Sequence, residues 1–118
     1  MRAPQVIAVS ALKDALGVRV STRRPSPPPD EFVIVSRIGG GSDDWATRNP
    51  RFLVECYAAS ESGAELLAER AWEAWRNARR YAPEVNWSHA DNNLTRFDDP
   101  DPAHKRFQFT GGLQLKPI

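Results

Sequence analysis

Apolar residues near the N-terminus recur with the spacing of an amphipathic helix. In 4–16 these residues are Val6, Ile7, Val9, Leu12, Ala15 and Leu16. Gly17 follows, where a helix commonly ends with one residue in the left-handed conformation. Val18 and Val20 then alternate with polar residues, which is the pattern of a strand with one buried face. The pattern predicts a helix over 4–16 followed by a short strand.

Two longer segments, 31–38 and 51–58, alternate with period two, and the second face of each is also partly apolar. In the first, Phe32, Ile34 and Ile38 oppose Val33 and Val35; in the second, Phe52, Val54, Cys56 and Ala58 oppose Leu53 and Tyr57. Both segments are predicted to be strands. The twelve residues of 39–50 favour a long hairpin loop between antiparallel neighbours. The stretch PSPPPD at 25–30 cannot donate hydrogen bonds at its prolines and is interpreted as a stiff connecting loop.

A helix of about five turns is predicted between a cap at Ser60 or Ser62 and Pro83. Arg76, Arg79 and Arg80 fall near its C-terminus, where the helix dipole favours cations. Its inner stripe consists of Ala64, Leu67, Ala68, Ala71, Trp75, Ala78 and Ala82, with Leu66 and Trp72 on the flanks.

The C-terminal third is predicted to contain an irregular stretch at 85–93, a strand at 94–97, a turn at 98–104 and a clear strand at 107–115. Gly111 and Gly112 in this last strand indicate a bulge or a close approach of another backbone. The fold class is therefore α+β: a mostly antiparallel sheet of about 4–5 strands packed against one long helix, with an N-terminal helix and a long hairpin loop. We expect a single domain over 1–118.

Composition adds constraints on function. Of 118 residues, 41% are hydrophobic and 26% charged, and the net charge is only +1, which disfavours a strongly basic nucleic-acid binder. The lone Cys56 is expected in the core of a protein from a reducing compartment. No signal peptide, membrane helix or membrane partner is expected.

No segment has the pattern of a catalytic or cofactor site. GGGS at 39–42 lacks the Lys and the following helix of a phosphate-binding loop. Neither Cys56 nor any serine lies in a recognisable nucleophile motif, and Glu55 and the acidic residues of 98–101 are expected to be solvated. We therefore expect no catalytic residue, no cofactor and no enzyme activity.

A metal site is the next alternative. His89 and His104 lie near Asp91, Asp98, Asp99 and Asp101, but their spacing matches no metal motif. We expect no metal, and a metal-dependent hydrolase is the least favoured function.

The aromatic and basic residues at the end of the long helix suggest a further alternative. Trp72, Trp75, Arg76, Arg79 and Arg80 are suited to stacking and neutralising a single-stranded nucleic acid. Trp75, however, also belongs to the predicted core stripe, so helix packing is the favoured interpretation. The sequence assigns no role to Trp72, Trp75 or Trp87 beyond this.

The order of four motifs resembles the tail terminator proteins of long-tailed (siphovirus-type) actinobacteriophages. The motifs are the strand PPDEFVIVSRIGG at 28–40, the strand RFLVECYA at 51–58, the helix segment AELLAERA at 64–71, and DDPDP at 98–102 followed by RFQFT at 106–110. The resemblance covers nearly the whole chain, and its motifs are structural.

The resemblance implies a structural virion protein without enzymatic activity, located at the head-proximal end of the tail and assembled in the host cytoplasm. Six copies would form a ring that caps the tail tube, stops its elongation and contacts the head-completion or connector proteins, while genomic DNA passes through the lumen without specific binding. A head–tail connector or head-closure protein is the nearest alternative.

The hairpin loop then has an expected role in reaching a neighbouring subunit or the tube, with Trp45 as anchor. The alternatives are that Trp45 folds back onto its own sheet, or that the acidic pair Asp43 and Asp44 faces the lumen. The expected interface residues are Pro28, Pro29, Gly39, Gly40, Gly41, Asp43, Asp44, Trp45 and Arg48.

Overall fold

The computed structural model describes residues 2–98 and 100–117. Its helices are α1 (Pro4–Leu16) and α2 (Glu61–Arg76), followed by a 3₁₀ turn at Ala78–Arg80. Its strands are β1 (Arg19–Ser21), β2 (Phe32–Gly40), β3 (Pro50–Ala58), β4 (Val85–Ala90), β5 (Thr95–Arg96) and β6 (Lys105–Leu115). The predicted α+β class is confirmed, with six strands instead of 4–5.

The strands form one sheet in the order β1-β2-β3-β6-β4, and β5 pairs with β6. Only β1 and β2 run parallel, so the sheet is mostly antiparallel as predicted. The β2–β3 hairpin is confirmed, but β2 continues to Gly40 and β3 begins at Pro50, so the loop is confined to 41–49.

Strand β4 lies in a stretch that the sequence predicted to be irregular. Its alternation is hidden because a register shift separates Val85 from Trp87 and because the polar Ser88 is buried. Trp87 and His89 consequently share the face of the sheet opposite to Ser88. The prediction of irregular structure is therefore wrong at 85–90, whereas 91–93 are irregular as predicted.

Helix α2 starts as predicted but ends earlier. Ser60 caps it by accepting a hydrogen bond from the Gly63 N–H at 3.1 Å. At the other end the Asn77 side chain donates to the Glu73 carbonyl at 2.9 Å, and the chain tightens into the 3₁₀ turn. The whole predicted inner stripe is nevertheless buried.

The main core lies between the two helices and one face of the sheet. Its largest member, Trp75, is 1% exposed and contacts Phe52 and Phe109 edge-on. Cys56 is fully buried there, as predicted.

A second, smaller cluster on the opposite face of the sheet consists of Phe32, Ile34 and Tyr57. Arg24, from the segment before the prolines, lies 5.3 Å and 5.2 Å from the centroids of the Phe32 and Tyr57 rings. The edge of the His104 ring contacts Phe32. The second face of the sheet is therefore covered where Phe32, Ile34 and Tyr57 lie.

Candidate subunit interface

The loop at 41–49, called the arm below, leaves the sheet through two glycines with positive φ. Gly39 has φ +106° and Gly40 φ +133°, values that other residues rarely adopt. A Cβ on Gly40 would also overlap the Asn49 carbonyl and lie 2.9 Å from the Arg51 nitrogen. A register shift between Arg37 and Gly39 accompanies this change of direction. The glycines therefore shape the base of the arm.

Two carboxylates organise the tip of the arm. Asp44 Oδ1 accepts the N–H groups of Ala46 and Thr47 at 2.8 and 2.7 Å, and Asp43 Oδ1 accepts the N–H of Asn49 at 3.0 Å. The hydrogen bonds from Ala46 and Thr47 lower the pKa of Asp44 below its ordinary value. Asp44 is thus ionised at neutral pH, and the two carboxylates together hold the backbone of the tip in shape.

Trp45 lies at this tip and is 92% exposed. It does not fold back onto its own sheet, which was the alternative considered from the sequence. The backbone on both sides of it is held by the two carboxylates, so the arm presents an aromatic ring to its surroundings. Aromatic side chains, tryptophan included, are enriched in the cores of protein interfaces relative to the rest of the surface.

Arg48 occupies a different environment from the rest of the arm, because it is only 5% exposed. Its backbone exchanges two hydrogen bonds with Leu115, and its Nε donates to the Lys116 carbonyl at 2.9 Å. Arg48 therefore fastens the base of the arm to the C-terminal strand. In the free chain it does not offer its side chain to a partner.

Pro28 and Pro29 are exposed but lie far from the arm. They precede β2, whereas the arm follows it, and the nine residues of β2, at about 3.3 Å each, separate the two by roughly 30 Å. The Pro29 carbonyl is 2.9 Å from His104 Nε2. The residues expected in one interface thus occupy two separate places on the chain.

The sheet beside the base of the arm carries a second exposed tryptophan. Trp87 is 60% exposed and stacks on His89 with centroids 5.1 Å apart. Nearby, Arg51 pairs with Asp91. Burial alone would raise the pKa of Asp91, but the hydrogen bonds from Arg51 and Thr110 outweigh it, so the pKa lies below its ordinary value. The sequence reasoning missed this surface because it missed β4.

The aromatic platform considered for nucleic acid is occupied within the chain. Trp75 is buried and its Nε1 donates to the His89 carbonyl at 3.0 Å. Arg76 covers the face of Trp72 at 4.8 Å, and Trp72 Nε1 donates to the Asn92 carbonyl. Trp72 and Trp75 therefore contribute to packing. Trp87 is the tryptophan that remains accessible beside the basic residues.

The histidines considered as metal ligands are paired separately. His89 lies 3.2 Å from Asp91, and the buried His104 lies 3.1 Å from Asp101. Among the residues that the structure describes, no group of three or more His, Cys, Asp or Glu side chains is arranged to hold a metal ion. Asp99, also considered as a ligand, lies outside the described residues.

The Cys56 thiol is fully buried in the core. Burial raises the pKa of the Cys56 thiol well above its ordinary value, so this group is protonated in the fold. Across 2–98 and 100–117 no helix combines the length and the apolar character needed to cross a membrane.

The fold is similar to that of a chain in a solved structure. A chain in the virion of a native gene transfer agent particle superposes on this structure with a TM-score of 0.64 and 15% sequence identity. The match covers 97% of this chain and 95% of that chain, so the two share one fold from end to end. No protein-family model matches the sequence. No curated protein matches it either.

Proposed function

We propose that this chain is a structural protein of a virion, and specifically a tail terminator. Copies of the chain, six in number, close into a ring that caps the tail tube, stops its elongation and forms the joint to the head-completion proteins. DNA passes through the ring without specific binding. The protein acts through its surfaces and not through catalysis.

Two independent likenesses support a virion protein. The order of sequence motifs resembles the phage tail terminators, and the fold is shared along its whole length with a chain of a gene transfer agent virion. A terminator and a head–tail connector are both compatible with the shared fold. The motif order favours the terminator.

The exposed Trp45 is the observation that carries the assembly role. Burying a large aromatic side chain removes about 150–250 Å² from water, worth on the order of 4 kcal/mol before the entropic costs of association. Few other places on the chain offer such a gain, since the remaining tryptophans are buried or packed to a greater extent. An arm that inserts into a different surface of the next copy makes a heterologous contact, and such a contact forms a ring when the rotation between successive copies closes.

The experiment is native mass spectrometry of the purified chain, alone and after mixing with tail tubes of the same particle. We expect a species of six times the 13.2-kDa chain mass, either free or only on the tube. Trp45→Ala should reduce ring formation at least tenfold. Leu66→Ala, which removes a 63%-exposed side chain from the outer face of α2, is the matched control.

Different results distinguish the rivals. A ring that binds the head portal complex and ignores tubes identifies a connector. A chain that stays monomeric and binds neither partner contradicts both assembly roles. Capped tubes should stop growing at a fixed length, so unchanged elongation in the presence of the ring contradicts the terminator role.

A further inference from the structure

A basic cleft lies where α2 and the 3₁₀ turn meet the start of β4. Its volume is about 650 Å³, and its lining residues are Arg76, Asn77, Arg79, Arg80, Asn86, Trp87 and Ser88. The lining contains three arginines and no acidic residue. The cleft is therefore a positively charged groove with an aromatic wall at Trp87.

The charges in the cleft are largely available to a partner. Arg79 and Arg80 are exposed, and within the described part of the chain neither forms an ion pair. Arg76 interacts with Glu73 at 3.7 Å and remains half exposed. The helix dipole explains a preference for cations here, but an isolated helix end requires neither three arginines nor an exposed tryptophan.

The tip of the arm has the complementary chemistry. Asp43 and Asp44 directly precede the exposed Trp45, and 38–47 contains no basic residue. Each of the two carboxylates accepts its hydrogen bonds within the arm through Oδ1, which leaves Oδ2 for an external donor. Because the backbone of the tip is already ordered, docking loses little further conformational freedom.

We propose that the arm of one copy docks into the basic cleft of the neighbouring copy. Asp43 and Asp44 face Arg79 and Arg80, and Trp45 packs beside Trp87. This inference rests on the proposed function, since it names the two surfaces that join successive subunits of the ring. The occupant is another copy because the arm carries the opposite charge and an unburied anchor, and because in its own chain Trp45 contacts no such cleft.

Disulfide trapping tests this contact without requiring a stable ring. One chain carries Ala46→Cys in the arm and a second carries Asn86→Cys in the cleft, and neither change removes a charge or a tryptophan. The native Cys56 is buried and should not react. After mixing and oxidation, we expect a 46–86 cross-linked heterodimer. Ser62→Cys, exposed at the opposite end of α2, replaces Asn86→Cys in the control and should cross-link at least tenfold less.

Complementation gives the direction of the contact. Trp45→Ala has a defective arm, and Arg79→Glu/Arg80→Glu has a defective cleft, so each alone should associate at least tenfold more weakly than the native chain. An equimolar mixture retains one functional arm and one functional cleft, which predicts 1:1 heterodimers that do not close. Arg19→Glu/Arg23→Glu makes the same charge change at exposed sites elsewhere and should still form rings. Far-UV circular dichroism checks folding, and Arg79→Gln/Arg80→Gln replaces the double reversal if that variant unfolds.

The outcomes separate the two proposals. Rings that persist in Arg79→Glu/Arg80→Glu, with no 46–86 cross-link, overturn the arm–cleft contact and leave the terminator role standing. A 46–86 cross-link in a chain that never forms a ring and never caps a tube supports the contact and overturns the terminator role. Binding of a single-stranded oligonucleotide that is lost in Arg79→Glu/Arg80→Glu, without any cross-link, overturns the contact in favour of nucleic acid.

Discussion

Replacement of Gly111 by alanine tests how closely β6 packs against the core residue Trp75 and against β4, the strand that carries Trp87 and His89. Gly111 lies in β6 opposite Ala90, directly beneath the Trp75 indole. An added Cβ would overlap Trp75 Nε1, lie 3.0 Å from Trp75 Cδ1 and lie 2.7 Å from the His89 carbonyl oxygen. Trp75 cannot withdraw, because it is fully packed between Phe52 and Phe109. The methyl group must therefore push the indole away from the carbonyl to which it donates.

The size of the effect follows from three terms. Overpacking of a rigid core costs about 1–3 kcal/mol, and the Trp75–His89 hydrogen bond contributes about 0.5–1.5 kcal/mol. Replacing glycine at an ordinary φ recovers about 0.4–1 kcal/mol from the unfolded state. The net loss of unfolding free energy is about 2 kcal/mol, which lowers the urea midpoint by roughly 1 M at a slope of about 1–3 kcal/mol per M.

Urea unfolding followed by far-UV circular dichroism measures this loss, with two glycine controls. Gly41→Ala meets only the Asn49 Cβ at 3.8 Å and should leave stability unchanged within about 0.5 kcal/mol. Gly112→Ala meets the His89 ring, which is partly exposed and can swing aside, so its loss should fall between the other two. A Gly111→Ala variant as stable as Gly41→Ala would refute the packing argument. Because the clash is with the indole, Gly111→Ala and Trp75→Phe together should cost less than the sum of the single changes.

Three further expectations concern ionisable groups. Hydrogen bonds from Arg2 lower the pKa of Glu84 from 4.5 to about 2, so the stabilisation they give is complete above pH 4.5 and is lost as the pH falls toward 2. The difference in unfolding free energy between the native chain and Glu84→Gln should therefore shrink over that range, and a difference independent of pH contradicts this. His104→Ala removes bonds to Asp101 and Pro29, should lower the unfolding free energy by about 2 kcal/mol, and should speed amide exchange in 22–30 more than in α1. The buried Cys56 thiol should react with a disulfide reagent only on unfolding, so fast reaction in native buffer would show that the core opens.

Local patterns predicted most of the fold. The helix at 4–16, the β2–β3 hairpin, the Ser60 cap and the inner stripe of α2 all follow from short-range periodicity and capping chemistry, and the structure confirms them. Strand β4 was not predicted because one of its buried positions is the polar Ser88 and because a register shift displaces Trp87. A period-two pattern cannot show a strand whose alternation is broken twice within six residues.

The covering of the second sheet face was unpredictable for a different reason. The sequence raised His104 only as a candidate metal ligand and predicted a solvated Asp101, yet His104 is buried and its ring reaches the Pro29 carbonyl 75 positions earlier in the chain. Such contacts depend on where a proline segment crosses the sheet, and the sequence near His104 carries no signal of it. The partly apolar second face of β2 did indicate that something covers it.

For the candidate interface, the sequence predicted a long hairpin loop with Trp45 as its expected anchor, but not the surroundings of that loop. The acidic residues considered for other roles stabilise local structure. Asp43 and Asp44 accept backbone hydrogen bonds within the arm, and Asp101 contacts His104 and accepts an N–H of its own turn.

The exposed side chains of this protein are better suited to recognition than to catalysis. Carboxylates that already accept backbone hydrogen bonds are poorly suited to exchange protons, because ionisation is what the fold requires of them. Trp45, Trp87, Arg79 and Arg80 are among the exposed side chains that the structure describes. Tryptophan and arginine are the residues that dominate the energy of protein interfaces. In the proposed contact between copies, these exposed arginines would face Asp43 and Asp44 of the neighbouring arm, with Trp45 beside Trp87.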